Sequence, residues 1–574
     1  MIKTYVGAGR NARPHPVKLV CPQAKRTPLP VRHPGGPQWN SARRPACDAA
    51  PPNASPMPDA PQISTLGALR ESGYRPRSVK DEIRQNLVAR LRARQEVFPG
   101  VLGYDRTVIP QVQNALLGRH DFILLGLRGQ AKSRLVRLLP ALLDEWVPEV
   151  AGSEIHDDPL DPVSKFARDR VAEMGDDTPV SWLHRSLRYG EKLATPDTSI
   201  ADLIGDIDPI KAATRKLTYA DEEVIHFGII PRTHRGIFAI NELPDLQPRI
   251  QVGLLNIMEE QDIQIRGFNV RIPIDVLMVF TANPEDYTNR GSIITPLKDR
   301  IDSQILTHYP KDLGIGVEIT RQEAWSDRAN GSGDAAVTVH VPHVFREIVE
   351  QVAFEARQSE YVDQKSGVSA RLTRAALEDL VSAAERRALV NGETETTVRA
   401  SDLQSIEPAV TGKVELVYEG EQEGASSVAR ALIGKAVATI VKTVLPDPAD
   451  KETGRAVYGP VLRWFSSGNA LVLDAEMPQA DYAAALDRVD GLRTLVTDHT
   501  RPATDAQGKA ATLSMMELAL EALHQHSLLG KDALADGATY SDMMGSVLSG
   551  LGSFRPDDDD DEDPEDEYPR RRRR

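Results

Sequence analysis

The octet "GLRGQAKS", Gly126 to Ser133, joins a short apolar run to a segment with helical spacing. Its residue types suit one task, the binding of phosphate. In the pattern G-x-x-x-x-G-K-[ST], backbone N–H groups of the loop and of the following helix face an anion. The lysine reaches the terminal phosphates and the hydroxyl ligates Mg²⁺. Here Gly126, Leu127, Arg128, Gly129, Gln130 and Ala131 form the loop, Lys132 is the cation and Ser133 the hydroxyl. Ala131 stands where the pattern has its last glycine. If that position needs a positive φ, alanine costs about 1–2 kcal/mol; if φ is negative it costs little. Alone, the octet also fits a surface loop with a chance lysine.

Four further sites follow in a set order. "IFAINELPDL" ends an apolar run in Asn241-Glu242, and "VLMVFTAN" ends another in Asn283. Polar residues at the carboxyl end of a buried parallel strand face the ligand crevice of an open α/β sheet. An Asp-Glu pair there would place one acid near Mg²⁺ and the other on an attacking water; here the first acid is an amide. Arg300 follows in "TPLKDR", and Arg371 in "GVSAR" opens a helix. Each has a plain structural alternative. Glu242 could cap the next helix, and Asn283 could be a turn residue before Pro284. Arg300 could pair with Asp299 or Asp302, and Arg371 could be a solvated arginine. The order of all five on the expected elements is what favours chemistry.

In that order the chain resembles the AAA+ ATPases of the magnesium chelatase I-subunit and MoxR-like branch, over roughly residues 98–412. The resemblance implies that "GLRGQAKS" is Walker A and binds ATP, that "IFAINE" is Walker B, and that Asn283 is sensor 1 and Arg371 sensor 2. Mg²⁺ would be held by Ser133 and Asn241, and Glu242 would polarise the attacking water. Arg300 resembles the arginine finger that enters a neighbouring subunit's site, with Arg290 in "YTNRG" the second choice. "KLTYADEEVIHFGII" resembles the family's β-insertion, and "DIQIRGFNVRIPI" its hairpin before sensor 1. The resemblance further implies a homo-oligomeric ring, a hexamer, and a partner with a von Willebrand factor A domain. The rival readings are a non-hydrolysing nucleotide switch, prompted by Asn241, and an enhancer-binding-type transcription activator. The "GAFTGA" loop of those activators is replaced by "ADLIGDIDP". A DNA translocase is disfavoured by the lack of a strongly basic run in the core.

The elements that must position these residues are an α/β core with a parallel sheet covered by helices, an α-helical lid and a mostly helical C-terminal region. The boundaries read as a leader over 1–65, an N-terminal helix within 66–97 and the nucleotide-binding core over 98–325. The lid spans 341–412, the C-terminal region 413–555 and an acidic-then-basic tail 556–574. Residues 148–200, with "VSKFARDRVAEM" and "WLHRSLRYGEKL" read as helical, form an insertion in the core. "PRIQVGLLNIMEE" has helical spacing at Ile250, Leu254 and Met258. "DIQIRGFNVRIPI" reads as a hairpin turning at Arg266-Gly267.

Composition bounds the rest. The chain has 574 residues, 41% hydrophobic and 26% charged, which is that of a soluble globular protein of two to four units. Its two cysteines, Cys21 and Cys47, lie in the leader, so zinc, iron–sulfur and disulfide frameworks are not expected and the chain reads as cytoplasmic. No apolar run reaches membrane-spanning length, and nucleic acid is not an expected partner. Thirteen of the forty prolines fall before residue 62, with nine Lys or Arg against two acids, and Met57 is a candidate start. A leader of this composition cannot bury a core. Deleting residues 1–56 is therefore expected to leave ATPase rate and oligomer size unchanged, checked by phosphate release and light scattering.

Overall fold

The computed structural model describes residues 60–543 apart from 209, 212–213, 215–221, 266–270, 285–291, 329–336, 451–452, 501–502 and 535–536. Most of the leader, the tail, Arg290 and the Arg266-Gly267 turn lie outside the described residues.

Five strands, among the described residues, form the central sheet: β1 (Phe122–Leu125), β2 (Tyr189–Leu193), β3 (Gly236–Asn241), β4 (Val276–Ala282) and β5 (Ser303–Leu306). Their order is β5-β1-β4-β3-β2 and every pairing is parallel. All carboxyl ends therefore meet at one edge. Every residue of β1, β3 and β4 is buried, as befits strands covered on both faces. The pleat divides them: Phe238, Ile240, Met278 and Phe280 enter one apolar cluster, and Ile237, Ala239, Leu277 and Val279 the other. The second cluster is covered by α1 (Val79–Arg92), α2 (Val108–Leu117) and α3 (Lys132–Leu138). On the opposite face, Leu297 of α4 (Thr295–Arg300) packs with Ile250, Leu254 and Ile257.

Beyond the sheet come α5 (His343–Ala356) and α6 (Arg371–Asn391). A single apolar cluster runs from Val344 to Tyr540, so these helices share a core with the long helices and the sheet that follow residue 424. That later region is helical around one three-stranded antiparallel sheet, in which Leu471–Asp474 is joined by Gly530–Leu534 and Gly537–Ser541. The chain is thus an α/β core, a parallel sheet covered by helices on both faces, with a largely helical region following it. Among the described residues no helix is long and apolar enough to cross a membrane.

Two sequence expectations need correction. "WLHRSLRYGEKL" is not helical: it spans part of strand Val180–His184, a turn at Arg185–Leu187, and β2. Residues 148–200 are therefore not wholly an insertion, since β2 belongs to the central sheet. β2 escaped notice because it is an edge strand with one neighbour, which can carry Gly, Glu and Lys in place of an apolar run. The helical run at 248–259 is real but broken at Leu254 into Pro248–Gly253 and Leu255–Glu259. The two arms of the expected hairpin do pair, Asp262–Gln264 against Arg271–Pro273.

β2 is set in place from its foot. Arg188, 1% exposed, gives Nη1 and Nη2 to the two carboxylate oxygens of Glu82 on α1, at 2.8 and 2.6 Å. Its Nε donates to the Arg235 carbonyl at 2.8 Å, and its own carbonyl accepts from Ile237 N at 2.9 Å. A Cβ on Gly236 would lie 2.2 Å from that carbonyl, so only glycine permits the approach. Removing one partner of such a pair strands the other charge in the interior. Arg188→Met is expected to cost about 3–5 kcal/mol, measured by urea unfolding.

Candidate functional site

The phosphate-loop candidate lies where β1 ends and α3 begins. Gly126 N donates to the Ala282 carbonyl at 3.2 Å, which ties the loop's first residue to the end of β4. A Cβ there would overlap Thr307 Oγ1 and Gln130 Oε1, at 1.8 and 2.2 Å. Three side chains unmarked in the sequence reading brace the loop from behind. Thr307 Oγ1 donates to Gln130 Oε1 at 2.7 Å, the Tyr104 hydroxyl meets the Gln130 carbonyl at 2.9 Å, and the Tyr309 hydroxyl donates to the Arg128 carbonyl at 2.8 Å.

Ala131 has φ 54° and ψ 17°, so the position does require the left-handed region that glycine usually fills. Gly129 also has a positive φ, 74°. Lys132 is buried, and its Nζ donates to the carbonyls of Gly126 and of Leu127, the latter at 3.0 Å. Its charge is thus held against the loop by backbone oxygens. Ser133 lies in the first turn of α3.

The ends of β3 and β4 lie beside this loop. Thr281 Oγ1 donates to Asn241 Oδ1 at 3.1 Å and accepts from Glu242 N at 3.3 Å, which couples the two strand ends. Asn283 follows β4 directly and is buried. Glu242 has φ 54° and ψ 50°, a conformation a non-glycine residue adopts at a cost. That left-handed turn lets β3 end abruptly, with the next residues already in a 3-10 turn at Leu243–Asp245.

Asn241 also reaches sideways. Its Nδ2 donates to Glu191 Oε1 of β2 at 2.6 Å. Glu191 in turn accepts from Arg137 of α3, Nε to Oε2 and Nη2 to Oε1 at 3.0 Å each, and from the Tyr189 hydroxyl at 3.1 Å. The Arg137 hydrogen bonds hold the Glu191 carboxyl below the usual carboxylate range, so it is ionised at neutral pH. Neither Glu191 nor Arg137 was singled out in the sequence. The one available signal was indirect: an amide at residue 241 leaves a missing negative charge to be looked for nearby.

The start of α6 sits on the loop. A Cβ on Gly129 would lie 2.2 Å from Ser369 Oγ and 2.8 Å from Ala370 N, and one on Gly367 would lie 2.7 Å from Leu127 Cδ1. Arg371, exposed, is the first residue of that helix. Arg128 adds an exposed ion pair with Glu415 at 2.7 Å. Lys132, Ser133, Asn241, Glu242, Asn283 and the Arg371 backbone are therefore gathered at one edge. Arg300 is held elsewhere: Nε donates to Glu259 Oε2 at 2.7 Å and Nη1 to the Pro296 carbonyl at 3.0 Å, while Asp302 accepts from Asp121 N.

The residues present fit ATP with Mg²⁺. The loop offers glycines where a Cβ would clash and a lysine held against its own carbonyls. The nearby side-chain donors are carboxylate, amide and hydroxyl oxygens, which suit a hard divalent cation. Among the described residues no cluster of His, Cys, Asp and Glu is arranged to hold a metal without such a ligand.

No family model matches the chain. Among solved structures it is similar to NtrX from Brucella abortus in complex with ATP, at 14% identity and TM-score 0.34, over 62% of this chain and 66% of that one. Another NtrX structure aligns at 15% identity and TM-score 0.28 over 52% of this chain, which spans only 55% of that protein's length. A putative ATPase from Cytophaga hutchinsonii aligns at 17% and 0.26, over 66% and 98%. A complex of magnesium chelatase subunits BchI and BchD aligns at 19% and 0.27, over 61% and 99%. At such values, what the site can do rests on this chain's own residues.

The left-handed Ala131 makes a prediction. Ala131→Gly is expected to raise unfolding stability by up to about 1 kcal/mol, once the greater freedom of unfolded glycine is subtracted from the relieved strain. Urea unfolding of the two proteins checks it.

Proposed function

We infer that this chain is an ATP hydrolase of the AAA+ type. It works in the cytoplasm as a homo-oligomeric ring, a hexamer, and couples turnover to remodelling of a partner protein or to metal insertion. The observation that supports the reading best is the meeting of four separately encoded pieces at one sheet edge: the loop with Lys132, the Asn241-Glu242 strand end, Asn283, and the start of α6 against Gly129.

Lys132 would exchange the Gly126 and Leu127 carbonyls for β- and γ-phosphate oxygens, a swap of acceptors for more negative ones. Ser133 and Asn241 would hold Mg²⁺, which would supply positive charge to neutralise the phosphates. Glu242 orients the attacking water and takes its proton at the carboxylate. Asn283 hydrogen-bonds that water or the γ-phosphate. Arg371 acts within the subunit and Arg300 across to the next, both stabilising charge on the transferred phosphoryl group. For Arg300 this means exchanging Glu259 for a neighbour's nucleotide. The partner is a protein with a von Willebrand factor A domain.

A second reading, a nucleotide switch without turnover, is favoured by one observation, the neutral Asn241 at the metal-facing position. Steady-state phosphate release separates the two.

Lys132→Ala is expected to abolish binding of a fluorescent ATP analogue; unchanged affinity removes 126–133 as the phosphate loop. Glu242→Gln is expected to keep that binding while phosphate release falls about 10²–10⁴-fold. Arg300→Ala mixed with Lys132→Ala is expected to recover part of the activity, because some interfaces then join an intact loop to an intact arginine. Intact rings with no recovery remove Arg300 from an inter-subunit role.

A further inference from the structure

Asn241 carries no charge, yet its side chain is bonded at 2.6 Å to a carboxylate that comes from another strand. β2 lies beside β3 in parallel register, with Leu193 opposite Asn241, so Glu191 reaches the strand end from two residues below. Its other anchor, Arg137, lies four residues after Ser133 on α3. Ser133 and Arg137 therefore share a helix face about 6 Å apart along the axis. The carboxylate thus lies between the helix that carries the metal-binding hydroxyl and the amide at the metal-facing position.

Three donors converge on this one group: a bidentate guanidinium, a tyrosine hydroxyl and an amide. Stability alone does not account for that investment. The Arg137 side chain is 64% exposed, and an ion pair with so exposed a partner contributes little to stability.

We propose that Glu191 supplies the carboxylate of the Mg²⁺ site, moved from the end of β3 to the neighbouring strand, with Asn241 as the amide that holds it there. This rests on the nucleotide-site reading and deepens it. Without metal, Arg137 satisfies the charge. Glu191 would be the residue that offers a negative charge to the cation, with Asn241 Nδ2 keeping its orientation. Glu242 is left as the sole acid directed at the nucleophile. The full negative charge of the site is then present on β2 and absent only from position 241.

The test is Mg²⁺-dependent binding of a fluorescent ATP analogue to the full chain, titrated from EDTA to saturation. Glu191→Gln keeps an acceptor for Arg137 but removes the charge. It is expected to raise the Mg²⁺ concentration at half-maximal effect about 10–100-fold, with binding in EDTA unchanged. Arg137→Gln removes the competing cation and is expected to move that midpoint the opposite way. This second arm stands even if Glu191→Gln folds poorly, since a purely structural Arg137–Glu191 pair would make both variants lose affinity alike. In the double variant Glu191→Gln with Asn241→Asp the charge returns to β3, and the wild-type midpoint is expected to return with it. An unchanged midpoint in Glu191→Gln, with nucleotide still bound in EDTA, overturns the assignment and leaves the nucleotide site standing. A double variant no better than Glu191→Gln overturns it as well. Wild-type protein that binds no nucleotide in either condition overturns the nucleotide reading itself.

Discussion

The buried pair of Arg188 and Glu82 sets the geometry of the site edge. Two charges in the interior are tolerated only when every hydrogen-bonding group is met, and here they are: Glu82 takes both guanidinium nitrogens and also Asp144 N at 2.6 Å, while Arg188 Nε takes the Arg235 carbonyl. Such a pair is weak evidence for net stability and strong evidence for a specified position. It fixes α1 to the foot of β2, and through the Arg188 carbonyl it fixes β2 to β3. Because a strand alternates strictly, a slip of one residue would turn Glu191 to the other face of the sheet. The register that puts Glu191 against Asn241 is thus decided at the opposite end of the strand, by a group that touches no ligand.

From there the carboxyl edge follows from the parallel sheet. Five strands running one way deliver five loop starts to one line, and hydrogen bonds across neighbours keep them level: Gly126 N to the Ala282 carbonyl, Thr281 Oγ1 to Asn241 Oδ1, Glu242 N to Thr281 Oγ1. Two residues at this edge, Ala131 and Glu242, hold left-handed backbone that neither prefers. Glu242 is trapped between a buried strand and a turn that starts at once, and Ala131 is the residue from which α3 starts. Strain of this kind persists only where the surroundings over-determine the conformation, and it is concentrated where the chain must turn sharply to expose a functional group.

The helical region meets this edge through contacts too close for a side chain. Gly129 lies under Ser369, and Gly367 against Leu127 and Tyr309. Movement of the loop would therefore press directly on the residues that lead into α6. From α6 the apolar cluster continues without a break to Tyr540, so a displacement there is carried by a packed body. Arg128 and Glu415 add a second, exposed tie between the loop and that body.

Much of this was legible from sequence. β1, β3 and β4 are apolar runs, which is what a strand covered on both faces must look like; β3 ends in Asn241, β4 runs into Asn283, and the loop after β1 carries its own residue pattern. The parallel α/β arrangement follows from strands alternating with helices. Local patterns could not reveal β2. As an edge strand it needs neither an apolar run nor strong propensity, and its place is decided by the Arg188–Glu82 pair, whose members lie 106 positions apart. For the same reason Glu191 gave no sign of itself: a charged residue beside glycine reads as surface until another strand brings an amide to it. Whether Ala131 is strained was likewise undecidable from its identity, since φ depends on how Thr307 and Tyr104, distant in the chain, brace the loop around it. Residue types and short spacings determined which chemistry is available here. Long-range pairing decided which groups stand next to one another, because contact between strands is specified by burial and register and not by nearness along the chain.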